Sequence, residues 1–234
     1  MAQDDVAEDL SGRSWREHAV ARRLDPARAR AETRVQGFLD AAFELLNESN
    51  WAVDFTVQDV VERSGQSLRS FYQYFGGKQE LLLALFEETI VSAAEHLRGT
   101  LEPVEEPLER LHQFVIEYYQ MTRQDRKRKS TTKSRPWGRR VMVEFAQQLL
   151  TAQPAEAARV FSPLVVLFEE ILTEAVAAGA VRPELNNRRV AGTVLEAIMF
   201  NAFSATISGN AQANDPGEQL WDLLFHGLAS QAST

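Results

Sequence analysis

The chain has 234 residues, with 25 Lys plus Arg against 33 Asp plus Glu for a net charge of −8, and no cysteine. Disulfide frameworks, thiolate metal sites and cysteine nucleophiles are thereby excluded, and the length suits one large domain, or a module of about 50 residues with a body of about 150. An acidic total argues against nucleic acid, whose phosphates need a basic face, but the charge is unevenly placed: Arg13 to Arg34 holds seven arginines and three acids, and Arg123 to Arg140 nine basic residues and one acid, leaving −20 on the remainder.

In chain order, residues 1–24 read as a flexible polar extension without an apolar leader core, and no uninterrupted apolar run reaches membrane-spanning length, so a soluble, cytoplasmic protein is expected. A helix is predicted from about Pro26 to Asn47, with Val35, Phe38, Leu39, Ala42, Phe43 and Leu46 on one stripe. Two short helices follow, 57–63 and 68–75, and then a long one from Lys78 to about Leu97. Pro103 and Pro107 lead into a helix carrying Leu111, Phe114, Val115, Tyr118 and Tyr119. Residues 124–136 have almost no apolar content and read as a mobile basic loop. Trp137 to Leu150 resumes helix, Pro154 opens another that runs to Ala178 with Gly179 as its C-cap, and the last two helices span about 187–208 and 217–229. No segment alternates apolar and polar residues between turn signals. The expected class is all-α, with about nine helices.

Phe55 to Leu82 carries the chemistry. Thr56 can cap the first short helix, with Asp59 completing a variant capping box and Phe55 and Val60 at the positions of a hydrophobic staple. Ser64-Gly65-Gln66 is a glycine-containing turn of the kind that joins the helices of a DNA-binding pair, and Ser67 can cap the next helix. Advancing roughly 100° per residue from Leu68 places Phe71 and Phe75 together as the buried face and Arg69, Gln73 and Ser70 on the outward one. Tyr72 and Tyr74 fall on the flanks, where phenolic hydroxyls can reach phosphates on either wall of a major groove. Arg69 is suited to bidentate contact with guanine, and Gln73 with adenine. Gly76-Gly77-Lys78 is no phosphate-binding P-loop, because the upstream glycine position holds Tyr72 and the following Ser or Thr position holds Gln79.

These residues resemble the DNA-binding region of the TetR family: a capped helix, a turn with glycine, a recognition helix ending in Tyr-x-x-Phe, and a lysine starting the next helix. Tyr72, Phe75 and Lys78 match that ending; Thr56, Gly65, Ser67 and Leu81-Leu82 match the flanks. The resemblance covers about residues 30–85 by motif and the rest by helix layout alone. It implies backbone clamps at Thr56, Ser67, Tyr72 and Lys78, and base-facing side chains at Leu68, Arg69, Ser70 and Gln73. Two positions depart from the pattern. Gln66 replaces the usual aliphatic residue and is expected to add a polar DNA contact, and Gly76-Gly77 is expected to loosen the turn before Lys78. The implied architecture is an extension (1–24), a three-helix helix-turn-helix DNA-binding domain (25–77), and a larger helical ligand-binding and dimerisation domain (78–234).

The body is rich in large apolar side chains, and a helical body of this kind can hold a mostly apolar pocket. Phe86, Phe114, Tyr118, Trp137, Phe145, Phe168 and Phe200 are the candidate lining, against the simpler reading that they fill the core. By resemblance the pocket takes a small apolar or aromatic effector, the segment from Lys78 is the lever, and a homodimer forms through about 187–208 and 217–229. In the first of those, Val190, Val194, Ala197, Ile198, Asn201 and Ala205 form a seam. The dimer would read a palindromic operator, usually as a repressor. The basic segment 123–140 fits a second DNA contact, an anionic-effector site or, as the leading reading, a solvated loop, while the arginine-rich arm before the first helix suits an adjacent minor groove. The four histidines, 18, 96, 112 and 226, are dispersed, and no glycine-flanked serine or carboxylate pair stands out, so no enzyme, metal or cofactor is expected. His96 and His112 are close enough in chain order to meet, but packing roles suit them better. A helical small-molecule-binding or adaptor protein without specific DNA binding is the competing reading.

Overall fold

Thr56 and Ser67 decide where the two short helices begin, because each supplies an oxygen to first-turn amides that have no partner within the helix. The computed structural model describes the backbone of residues 15–48, 55–122, 140–208 and 216–228, and side chains over 26–48, 55–122, 145–201, 204 and 217–225. In it α2 (Val57–Ser64) starts at a full capping box: the Thr56 hydroxyl accepts from the Asp59 amide, and the Asp59 carboxylate accepts from the Thr56 amide at 2.6 Å. The helix ends at Gly65, whose φ of 66° is left-handed backbone that favours glycine. There the Gly65 amide donates to the Glu62 carbonyl and the Gln66 amide to the Val61 carbonyl. Ser67 then caps α3 (Leu68–Tyr74) by accepting from the Ser70 amide at 3.1 Å.

The chain divides into two compact units, Met1–Glu48 with Asp54–Leu81, and Ser49–Val53 with Leu82–Thr234. The first contains α1 (Trp15–Glu48), α2 and α3. Its α1 begins at Trp15, not near Pro26, which corrects the reading of residues 15–24 as an extension. Those residues are mostly Arg, Ala, Glu and Leu, which favour helix strongly enough that Pro26 ends up inside the element instead of opening it. Phe38, Leu39, Ala42 and Leu46 of the expected stripe are buried, with Val35 and Phe43 at its half-exposed margins. They meet Val60, Val61, Phe71 and Phe75, all buried. Phe38 packs edge-on to Phe71 at 5.4 Å and to Phe75 at 6.1 Å. Arg63 ties α2 to α1 through Glu44 and Glu48, and its guanidinium holds the Glu48 carboxyl below the usual carboxylate range.

The second unit takes in most of α4 (Lys78–Leu101), then α5 (Pro107–Thr122), α6 (Arg140–Ala152), α7 (Pro154–Ala177), α8 (Asn187–Ser208) and α9 (Pro216–Leu228). There are thus nine helices and no β-strand among the described residues. α7 packs against α5, α6 and α8, and α5 also packs against α8 and α9. The C-terminus of α7 closes as expected: Gly179 has φ 74°, and the Ala180 amide bonds the Ala175 carbonyl. Phe86, Phe114, Tyr118, Phe168, Leu164 and Ile198 are fully buried in this core. His112 does not pair with the exposed His96. It joins α5 to α9, with Nε2 at 3.0 Å from Glu218 and the ring 4.9 Å from Trp221. Residues 1–14 of the expected extension, the basic segment 123–139 and Trp137 lie outside the described residues. None of the described helices is long and apolar enough to cross a membrane.

Candidate nucleic-acid interface and internal cavity

The outer surface of α3 follows from its inner one. With Phe71 fully buried between Phe38 and Phe75, helical phase leaves Leu68, Arg69, Tyr72 and Gln73 exposed, Ser70 and Tyr74 half-exposed, and the capping residues Thr56 and Ser67 open to solvent. Leu68 and Tyr72, at 43% and 57% exposure, are unusually open for large apolar or aromatic side chains. Arg69 and Gln73 line one polar groove of about 310 Å³ with Arg34, Gln66, Ser67 and Ser70. Arg34 comes from α1, so the arginine-rich segment contributes directly to the face that α3 presents. Arg34 thus belongs to the face of α3, a convergence that its place in the arginine-rich segment alone does not reveal.

Gln66 has a different task from the expected one. Its Nε2 donates to the Arg34 carbonyl on α1 at 2.9 Å, and its Oε1 is buried. Gly37 eases the approach, since a Cβ there would lie 2.9 Å from that nitrogen and the Gln66 amide would have to shift. Gln66 therefore fastens the turn before α3 onto α1 while still bordering the groove. The oxygens of Gln66 (Oε1) and Ser70 (Oγ), both beside the groove, are buried without a hydrogen-bond partner among the described residues.

Lys78, expected as a backbone clamp, opens α4 with its ammonium donating to the Phe55 carbonyl and lying 4.6 Å from the centre of the Phe55 ring. The clamp position is thus also a tie across the unit. Before it, the Gly76 amide donates to the Glu80 carboxylate, and neither Gly76 nor Gly77 has a positive φ. The turn does not use the backbone freedom that two glycines supply.

A cavity of about 340 Å³ lies within the second unit, between α7 and α8 with Tyr118 of α5 and Leu150 of α6. Of the seven aromatics expected to line a pocket, Tyr118 does so; its burial pushes the phenol pKa up. Phe86, Phe114 and Phe168 are solid core, and Phe145 packs on the Phe86 ring at 5.5 Å. Phe200, 48% exposed, points outward. These five do not line the cavity between α7 and α8: helical periodicity marks where large apolar side chains go, and those side chains fill space. The void sits where α7 and α8 carry small residues, Ala157, Ala158 and Gly192. Of the seam expected on α8, Val194 and Ile198 are buried within their own chain, Val190 and Ala197 are half-exposed and Asn201 is exposed, and Ala205 is not among the described side chains. Among the described residues no group of three or more His, Cys, Asp or Glu is placed to hold a metal ion.

Residues 38–85 match the family model for bacterial regulatory proteins of the tetR family. No curated protein sequence matches the chain. Among solved structures, a TetR-family transcriptional regulator from Pectobacterium atrosepticum aligns with a TM-score of 0.68 at 20% identity, over 88% of this chain and 99% of that one. The FadR transcriptional regulator from Bacillus subtilis, solved with stearoyl-CoA, aligns at 0.58 and 17% identity over 82% and 98% of the two chains. SmeT, the repressor of the Stenotrophomonas maltophilia multidrug efflux pump SmeDEF, aligns at 0.57 and 16% over 85% and 91%.

Proposed function

We propose that this chain, a member of the tetR family by its helix-turn-helix region at residues 38–85, is a cytoplasmic, non-enzymatic transcriptional repressor that binds a palindromic operator as a homodimer and leaves it when a small apolar or aromatic effector binds. The observation that carries the reading is α3 itself, a capped helix whose buried Phe71 obliges Arg69 and Gln73 to face outward beside Arg34. Arginine and glutamine are the side chains whose paired donors and acceptors match guanine and adenine edges in the major groove. Thr56, Ser67, Tyr72, Tyr74 and Lys78 serve the sugar-phosphate backbone, and fix register without reading sequence.

Two copies are required because each α3 covers one half-site, and half-sites recur about 34–36 Å apart. The dimer is assigned to α8 and α9. Phe200 on α8 and Leu223 on α9, 70% exposed, are large apolar groups that a partner would cover. The cavity supports an effector-binding role for the body, as does the likeness to a FadR regulator solved with stearoyl-CoA. Release follows only if the effector prefers the arrangement that cannot hold DNA, since equal affinity for both shifts nothing.

Selection of genomic fragments followed by electrophoretic retardation tests the reading. Salt-sensitive retention of fragments sharing one palindrome is expected. Retention of none would leave a helical binding or adaptor protein in its place.

A further inference from the structure

Gly192 stands inside α8, where glycine is roughly 0.8–1 kcal/mol less favourable than alanine. Close approach of a neighbour is the usual reason for such a residue, yet a Cβ at position 192 would meet nothing within 4 Å. What Gly192 borders instead is the cavity, facing Ala157 and Ala158 of α7. On α8 the cavity is lined by Arg188, Gly192, Leu195, Glu196 and Met199, one stripe at helical spacing. The space opens to solvent at Ala158, Arg188 and Glu196, and a larger side chain at 192 would project into it from α8. Glycine at 192 thus keeps this part of the wall free of a side chain at a cost in helix propensity.

The charges on the wall are unequal. Arg188 has Glu169 at 3.7 Å. Glu196, also on the wall, makes no ion pair among the described residues, and its neighbours one turn away, Gly192, Thr193, Met199 and Phe200, carry no charge. We infer that Gly192 opens a built ligand site between α7 and α8, and that its ligand is an amphipathic cation whose apolar body lies against Phe161, Leu195 and Met199 with its positive head toward Glu196. The inference rests on the effector-binding reading of this unit and narrows it to one chemical class.

Calorimetric titration of the full chain with octyltrimethylammonium, octanoate and octanol tests it. The ammonium compound should bind best, by up to about fivefold over octanol, the range of one partly exposed charge pair. Glu196→Gln should erase that preference, and Gly192→Leu should weaken all three probes at least tenfold. Should Gly192→Leu lose its helical circular dichroism, Ala158→Leu closes the same space from α7. Octanoate binding best, or both cavity-filling variants binding like the parent, would overturn the proposal. Retardation assays on the same preparations keep the two readings apart. A protein that retains DNA but binds none of the probes overturns the ligand inference alone. One that binds octyltrimethylammonium through Glu196 but retains no DNA overturns the regulatory reading alone.

Discussion

The two units of this chain use the same element, the helix, and treat their interiors differently. In the smaller unit Phe38, Phe71 and Phe75 meet in one aromatic cluster, and capping at Thr56 and Ser67 fixes where the short helices begin. In the larger unit α7 and α8 meet partly over glycine and alanine and keep about 340 Å³ between them. A surface that must present side chains in register gains from a filled, over-specified core, because each outward group is placed by an inward one. A body that must admit a molecule has to forgo some packing.

Removing the cluster gives the largest effect. Phe71→Ala should cost about 3–5 kcal/mol, as for other phenylalanines truncated in cores, measured by chemical denaturation. A loss under about 1 kcal/mol would mean that the smaller core is not held by its rings. Thr56→Ala removes the acceptor for the Asp59 amide and should cost about 1 kcal/mol. A stability equal to the parent's would show the capping box to be dispensable.

Two glycines then contrast the units at smaller scale. Gly192→Ala meets nothing within 4 Å and should gain up to about 1 kcal/mol of helix propensity. Gly37→Ala has the same propensity to gain but presses on the Gln66 amide and weakens its bond to Arg34, so its melting temperature should rise less. Equal shifts would contradict the Gly37–Gln66 fit.

The smallest effect is in pH. The backbone amide of Thr56, and then its hydroxyl, hold the Asp59 carboxyl below its ordinary value of 3.8. Since the folded value is the lower one, this stabilisation is present above the ordinary value and lost as pH falls through the depressed one. Asp59→Asn should therefore flatten the dependence of unfolding on pH below about 4. Parallel profiles for parent and variant would show that the carboxylate's charge has no part in stability.

What could be read from the sequence was local. The caps at Thr56 and Ser67, the turn at Gly65 and the phase of α3 each depend on residues within a few positions, and spacing alone placed Arg69 and Gln73 outward. Gln66 bonds the Arg34 carbonyl of another helix, beside Gly37, a contact that no local pattern reports. Arg34 was separated from α3 for the same reason. The cavity was sought among large aromatics, which mark filled space; the usable signal was small residues at helical spacing, Ala157 and Ala158 on α7 and Gly192 on α8. Pro26 misplaced the start of α1, because a favoured first-turn residue was weighted above the helix-forming segment before it.

Everything proposed for DNA binding turns on the outward face of α3, and Arg69 tests it most directly. Affinities of the parent and Arg69→Ala for a selected palindrome and for a scrambled duplex, at one salt concentration, give the specificity ratio of each. The ratio should fall by about 1–3 kcal/mol, the discrimination that one bidentate arginine–guanine pair supplies, with binding to the scrambled duplex less affected. An unchanged ratio, or equal weakening on both duplexes, would contradict the placement of Arg69 against bases.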